Sequence, residues 1–242
     1  MKITVIGDGN AFSDNNSCFY IETNPGLTIN NNILFDCGFT VFLKLKNEYP
    51  KILEELDAVF ISHMDDDHIG SLRTLLYYRY FVLNKSTKII IGDDSMQNVV
   101  VDYLYGVNKE VIGGVKEYAK IYTLMSVSKF NSNVDSKLYL QGIYVNHLQD
   151  CYGLKITYLD KLLFISGDTK ASSVIEGKVF GVLNINKKKH LVFHDYSEFN
   201  YPSRQTHACD NDIEIEYSEE FQDCMIKYHY DNAKILGNIY EI

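Results

Sequence analysis

Ser62-His63-Met64-Asp65-Asp66-Asp67-His68-Ile69-Gly70 is the stretch on which the fold turns. It follows the apolar run Ala58-Val59-Phe60-Ile61 and precedes a helix-like segment from Leu72 to Leu83. The cluster is therefore expected at the C-terminal end of a strand, on the loop entering a helix. Open α/β sheets place their sites there. Five of the nine residues, His63, Asp65, Asp66, Asp67 and His68, carry side chains that can ligate a metal. Three consecutive carboxylates in a dry site repel one another, and a dication is the local charge that removes this cost. A solvated acidic loop capping the next helix would need only one Asp. It would leave His63 and His68 without a role.

Upstream, Lys2 to Ile6 is a strand, Gly7-Asp8-Gly9-Asn10-Ala11-Phe12 a tight loop and Ser17 to Glu22 a second strand. The glycines suit a turn between strands, and Asn16 is a candidate for the mouth of the site. Asn31 to Cys37 is a third strand ending in Asp36-Cys37-Gly38. Thr40 to Leu56 reads as helical with a break at Pro50, and Asp57 to Ser62 is the strand that delivers the motif. Lys88 to Ile91 is a further strand, followed by an amphipathic helix from Ser95 to about Tyr105. Residues 107–133 show no clear period. Tyr103, Tyr105, Tyr118 and Tyr122, in or just before that region, are either packing residues or faces for a base.

Downstream, Lys137 to His147 alternates as a strand, and Cys151 to Tyr158 and Leu162 to Ser166 follow. The last of these ends at Gly167-Asp168-Thr169. His190 to Phe193 ends at His194-Asp195, with His190 expected in solvent beside Lys187, Lys188 and Lys189. Ser203-Arg204-Gln205-Thr206-His207 precedes a helix-like segment from about Glu214 to Asp223, and a strand from Met225 ends at His229. Both halves are strand-rich with intervening helices, and no linker or low-complexity stretch divides them. A single domain over residues 1–242 is expected.

Composition narrows the function classes. Apolar residues make up 46% of the chain, enough for a substantial core. A net charge of −9 argues against an electrostatic trap for long nucleic acid, so an anionic substrate would be small and held locally by metals. No apolar run approaches the roughly 18 residues of a membrane helix. Met1-Lys2 leads directly into a strand, and the five Cys have no paired spacing, so a reduced, cytoplasmic protein is expected.

The motif resembles the His-x-His-x-Asp-His signature of the metallo-β-lactamase superfamily, with Asp65 in place of the second His. The ComEC-type branch is similar in carrying Asp there. Such a carboxylate hardens the site and shifts preference from zinc towards manganese or magnesium. The Gly-x-Gly-x-Ala-Phe opening resembles that of RNase Z-like and cyclic-nucleotide-phosphodiesterase-like branches, and phage anti-Pycsar enzymes, which degrade cyclic mononucleotides, have this general form. The low Pro count and Asn/Lys/Ile/Tyr bias suit an AT-rich genome such as a phage's.

The resemblance implies a four-layer αββα sandwich carrying two divalent metal ions, with a homodimer as the expected assembly. It implies His63, Asp65 and His147 on one metal and Asp67, His68 and His229 on the other, with Asp168 bridging. Asp36 would brace the motif. Asp67 would also orient the attacking water, and His207 would assist the leaving oxygen. Arg204, His194 and Asn16 are the substrate-side candidates, Arg204 through bidentate phosphate contacts. Cleavage of a small cyclic phosphodiester is the favoured activity. An RNA or DNA nuclease, or a lactonase or thioesterase, shares the same chemistry. A diiron oxidoreductase would need a flavodoxin partner. A non-catalytic nucleotide-binding protein follows if Asp65 disables one site.

Overall fold

The computed structural model describes residues 1–23, 31–106, 119–132, 137–181, 189–198, 206–232 and 234–242. Tyr118, Lys187, Lys188, Ser203, Arg204, Gln205 and much of the 107–133 region lie outside the described residues.

Two sheets are built in the same way. In the first, β1 (Lys2–Gly7), β2 (Cys18–Glu22) and β3 (Asn32–Phe35) form an antiparallel meander. It continues in parallel through β4 (Ala58–Ile61), β5 (Thr87–Ile91) and β6 (Tyr122–Ser126). In the second, β7 (Leu138–Val145), β8 (Cys151–Tyr158) and β9 (Lys161–Ile165) are antiparallel. There β10 (His190–Asp195) and β11 (Met225–Tyr228) extend the sheet in parallel. The short strand β12 (Ile239–Glu241) returns to the first sheet and pairs antiparallel with β1.

The alternation of apolar residues explains the layers. Strand side chains point to opposite faces at successive positions. Ile3, Val5, Phe35, Phe60, Leu163 and Ile165 belong to one buried cluster between the sheets. Their neighbours Ile6, Leu34, Val59 and Ile61 pack under the helices Val41–Glu48, Pro50–Glu55, Leu72–Tyr77 and Gln97–Tyr105. Leu162, Phe164 and Val192 pack under Ser173–Phe180 and Asp210–Glu216. Strands apolar on both faces are what a sheet covered on both sides requires, and the expected four-layer αββα sandwich results. Phe19 joins the two sheets, with ring centroids 4.7 Å from Phe193 and 5.0 Å from Tyr228. Such pairs contribute about 0.5–1.5 kcal/mol each beyond their area.

The helical expectations shift in two places. The segment expected from Leu72 to Leu83 is α-helical only to Tyr77 and continues as a wider turn over Tyr78–Val82. Buried Arg79 sits in that turn. Its guanidinium donates to the carbonyls of Leu53 and Leu56 at the end of the helix Pro50–Glu55, and its Nε to Thr87 Oγ1 at 2.8 Å. The expected helix Glu214–Asp223 is two short helices, Asp210–Glu216 and Glu219–Gln222, separated by the extended Tyr217 and Ser218. Among the described residues no helix is long and apolar enough to cross a membrane.

Candidate metal centre

Parallel strands end on one rim, and the rim collects the polar side chains. Ser62 and His63 follow β4, His147 follows β7, Asp168 follows β9, Asp195 ends β10 and His229 follows β11. At the ends of β3 and β9 the chain turns through left-handed backbone, at Asp36 (φ 61°) and at Gly167 (φ 65°). Gly167 adopts this conformation without a Cβ penalty and lets Asp168 turn back over the sheet. His229 also has positive φ, at 76°. Asp8 holds it there: its carbonyl accepts from the amides of His229 (2.7 Å) and Tyr230 (2.9 Å). The Asp8 carboxylate accepts from the amides of Lys234 and Ile235, each at 2.7 Å.

The motif opens a one-turn helix, Asp66–Ile69, with Asp65 at its N-cap, yet the Asp65 side chain makes no capping bond. It turns instead to His63 Nε2 (3.3 Å) and His147 Nε2 (3.5 Å). Asp67 Oδ2 lies 3.4 Å from both His68 Nε2 and His229 Nε2. Asp168 stands between the two groups. Its Oδ1 is 3.1 Å from His68 Nε2, and its Oδ2 is 3.5 Å from His229 Nε2 and 3.9 Å from His63 Nε2. The structure thus brings together all seven side chains expected to ligate, in two clusters whose ligand atoms lie within 4.8 Å of one another: His63, Asp65 and His147, and Asp67, His68, Asp168 and His229.

Beneath the clusters, Asp36 fixes which ring nitrogens face inward. Its carboxylate only accepts. It takes the Ser62 amide at 2.8 Å, the Ser62 hydroxyl at 2.7 Å and His68 Nδ1–H at 2.7 Å. With its proton spent on Asp36, Ser62 Oγ accepts from His63 Nδ1 at 2.9 Å. In their neutral forms both histidines then present a lone pair on Nε2. The Nε2 atoms of His63 and His68 and Oδ1 of Asp168 are buried without a hydrogen-bond partner. Buried polar atoms of this kind are rare and costly. Convergent imidazole and carboxylate donors of this type fit divalent cations.

The electrostatics agree. Burial pulls the His68 imidazole down, but the charges of Asp168 and Asp36 outweigh it and hold the group well above its usual value. Burial likewise opposes ionisation of Asp168, and the neighbouring His229 and His68 overcome it and hold the carboxyl well below its usual value. The His147 imidazole and then that of His63, beside the Asp65 carboxyl, hold it well below its usual value. Protons on the buried imidazoles balance carboxylates that a dication would balance instead.

Two expectations are revised, and the open choice at Tyr103 and Tyr122 resolves to packing. His194 does not line the cavity: it is fully buried, its Nδ1 bonded to the Asp195 carbonyl and its Nε2 to the Tyr217 hydroxyl, each at 2.7 Å. Its neighbour Asp195 faces the site, its carboxylate 2.8 Å from His207 Nδ1 and 3.3 Å from His229 Nδ1. Asn16 is buried behind the mouth, accepting from Thr40 and donating to the Asn10 carbonyl. Tyr103 and Tyr122 are not part of the cavity; Tyr103 donates to the Ile69 carbonyl at 3.1 Å and Tyr122 is packed in the outer core. Arg204 lies outside the described residues. His207 does line the cavity, a space of about 480 Å³ that also has Asn10, Phe12, Leu148 and Asp231 on its walls. That volume falls in the usual range for small-molecule sites.

A family model described as "Anti-Pycsar protein Apyc1" matches residues 1–236. The chain belongs to the anti-Pycsar Apyc1 family. An Apyc1 protein of Bacillus phage BSP38 is 31% identical over 159 residues, a match covering 64% of this chain and 57% of that protein. The matched segment therefore spans little more than half of that relative. An Apyc1 protein of Bacillus phage 010DV004 is 28% identical, covering 95% of this chain and 89% of its own length. Among solved structures, the short form of human tRNase Z superposes with a TM-score of 0.69 at 15% identity, covering 100% of this chain and 99% of that one. The metallo-β-lactamase fold protein YhfI from Bacillus subtilis gives 0.64 at 18% identity, covering 95% and 86%. Zn²⁺-bound PqqB from Methylobacterium extorquens gives 0.60 at 10% identity, covering 100% of both chains. These likenesses establish that this Apyc1-family chain has the metallo-β-lactamase fold.

Proposed function

We propose that the chain is a metal-dependent hydrolase of small phosphodiesters, with cyclic mononucleotides as its substrates. The observation that carries the reading is Asp168, whose two oxygens address both clusters across one cavity. His63, Asp65 and His147 would hold one dication and Asp67, His68 and His229 a second, with Asp168 shared. Bound there, such ions lower the pKa of water and offset phosphoryl charge. A chain with a net charge of −9 can then take an anion without a basic surface.

The remaining chemistry belongs to the side chains. Asp67, at the cavity wall, orients the attacking water as well as contributing a ligand atom. His207 is set to protonate the leaving oxygen. Burial lowers the proton affinity of its ring, but the Asp195 charge and hydrogen bond outweigh this, and its pKa is raised. A protonated imidazole at the cavity wall is a competent general acid. Manganese, zinc and magnesium all suit the donor set, with Asp65 favouring the harder ions.

The test is turnover of 3′,5′-cyclic AMP, GMP, CMP and UMP by protein reconstituted separately with manganese and zinc. A generic bis-phosphodiester, single-stranded RNA and a lactone serve as controls. Preferential opening of cyclic mononucleotides is expected. Faster cleavage of RNA or of the lactone would replace this reading with a nuclease or a lactonase. Tight nucleotide binding without turnover would make the protein a nucleotide sink.

A further inference from the structure

Phe12 is 95% exposed, and it lines the same cavity as the ligand clusters. An isolated exposed apolar side chain needs no explanation, but the backbone that carries this one is held by a closed network. The Asn10 side chain accepts from the Phe12 amide at 2.9 Å, and the Asn10 carbonyl accepts from the Ser13 amide at 3.1 Å. Asn10 N donates to the Tyr230 carbonyl at 3.0 Å, and the Asn10 amide group donates to Asp231. Buried Asn16 ties the same carbonyl of Asn10 to Thr40. The loop between β1 and β2 is thus fastened to the strand end that carries His229, with its aromatic tip left free. Leu148, directly after His147, is 86% exposed and lines the cavity too. The cavity floor is carboxylate and imidazole. Its walls carry two large apolar side chains, and Phe12 is the single planar carbon ring among the described lining residues.

We propose that Phe12 is the face on which the nucleobase of the substrate stacks, with Leu148 adding apolar contact. The inference rests on the cyclic-mononucleotide reading above and adds the element that distinguishes a nucleotide from any other phosphodiester. The metal clusters address the phosphate, which every diester offers. A π-face addresses the base, because stacking requires a flat partner and no particular hydrogen-bond pattern. A loop fastened at both flanks loses little freedom when the base arrives, so the contact goes into affinity. Phe12 is a positioning residue here; it acts on substrate placement and not on the reacting atoms.

The experiment compares wild type with Phe12→Ala, Phe12→Leu and Phe12→Tyr on a cyclic mononucleotide and on a base-free cyclic ribose phosphate. Affinity for the nucleotide is measured in parallel by calorimetry, which needs no turnover. Phe12→Ala should raise KM and Kd for the nucleotide about tenfold, the usual cost of removing one base–aromatic stack, with kcat within about twofold. Phe12→Leu should behave like Phe12→Ala, Phe12→Tyr should recover wild-type values, and the base-free diester should be cut equally well by all four proteins. Unchanged KM and Kd in Phe12→Ala, equal losses on both substrates, or full recovery by Phe12→Leu would each overturn the proposal. A wild-type protein that cuts the base-free diester yet neither cuts nor binds the nucleotide would instead remove the functional reading, and the stacking role with it.

Discussion

His68 Nδ1 and Asp36 Oδ2 are joined by a hydrogen bond of 2.7 Å between residues 32 positions apart. The bond spans from the left-handed turn after β3 to the short helix after β4, so the ring is aimed by a neighbouring strand as well as by its own loop. Replacing Asp36 by Asn preserves its shape and its tolerance of positive φ. It removes the charge and one acceptor, so the His68 and Ser62 donors compete for a single oxygen. We expect Asp36→Asn to fold and to bind metal about 10–100-fold more weakly, the usual cost of losing such a support. Competition against a chelator measures it; wild-type affinity would show that His68 is positioned without Asp36.

Asp168 tests the shared site. Asp168→Ala should lower metal stoichiometry and turnover together, while circular dichroism of the metal-free protein stays close to wild type. A variant that binds the full complement of metal would place the bridge elsewhere.

His207 separates binding from chemistry. Its ring is bonded to Asp195 at 2.8 Å and stands 3.8 Å from Asp168 Oδ2. His207→Ala should keep its metal content and lose about 100-fold or more in kcat, the contribution of a general acid. Wild-type turnover would remove His207 from the reaction.

The metal-free protein should weaken with rising pH. Burial opposes protonation of His229, but Asp168 and Asp195 overcome it and raise its pKa from 6.5 to about 10. Between those values the folded protein binds a proton that the unfolded chain has released. The associated stability is complete below about pH 6.5 and lost as pH rises through about 10. Melting temperatures of chelator-treated protein across pH 6–10 should fall, and the slope should shrink in His229→Ala.

Gly38 tests how tightly the motif is seated. A Cβ there would lie 1.8 Å from the Asp67 carbonyl oxygen and 2.8 Å from Asn16 Cβ. Gly38→Ala must displace the Asp67 backbone, and we expect it to cost about 1–3 kcal/mol, as overpacking does, and to weaken metal binding. Chemical denaturation and metal titration of the same variant check both effects.

The parts of the molecule that were legible in the sequence are those written in local patterns. The motif compresses five ligand candidates into His63–His68, and runs such as Ala58–Ile61 announce a strand covered on both faces. The pattern placed His147, Asp168 and His229 at strand ends, and the resemblance to the metallo-β-lactamase superfamily made them ligand candidates. Asp8 was not legible, because its role lies in backbone amides 226 and 227 positions away. His194 misled because a histidine after a strand looks the same whether it faces the cavity or Tyr217. The turn at Tyr78–Val82 escaped because helical periodicity does not register the pull of Arg79 on carbonyls of another helix. Three-residue β12 carries too short a pattern to read against the strand it joins.

His63, Asp65, Asp67 and His68 hang from the first sheet, and His147, Asp168 and His229 from the second. An ion gripped by both sets is a clasp across the sandwich, and its occupancy adds directly to resistance against opening. Inside a cell starved of divalent ions, the two layers would part more often and expose the chain to proteases. Survival time of the protein in such a cell would then be governed by ion supply, before any question of turnover arises.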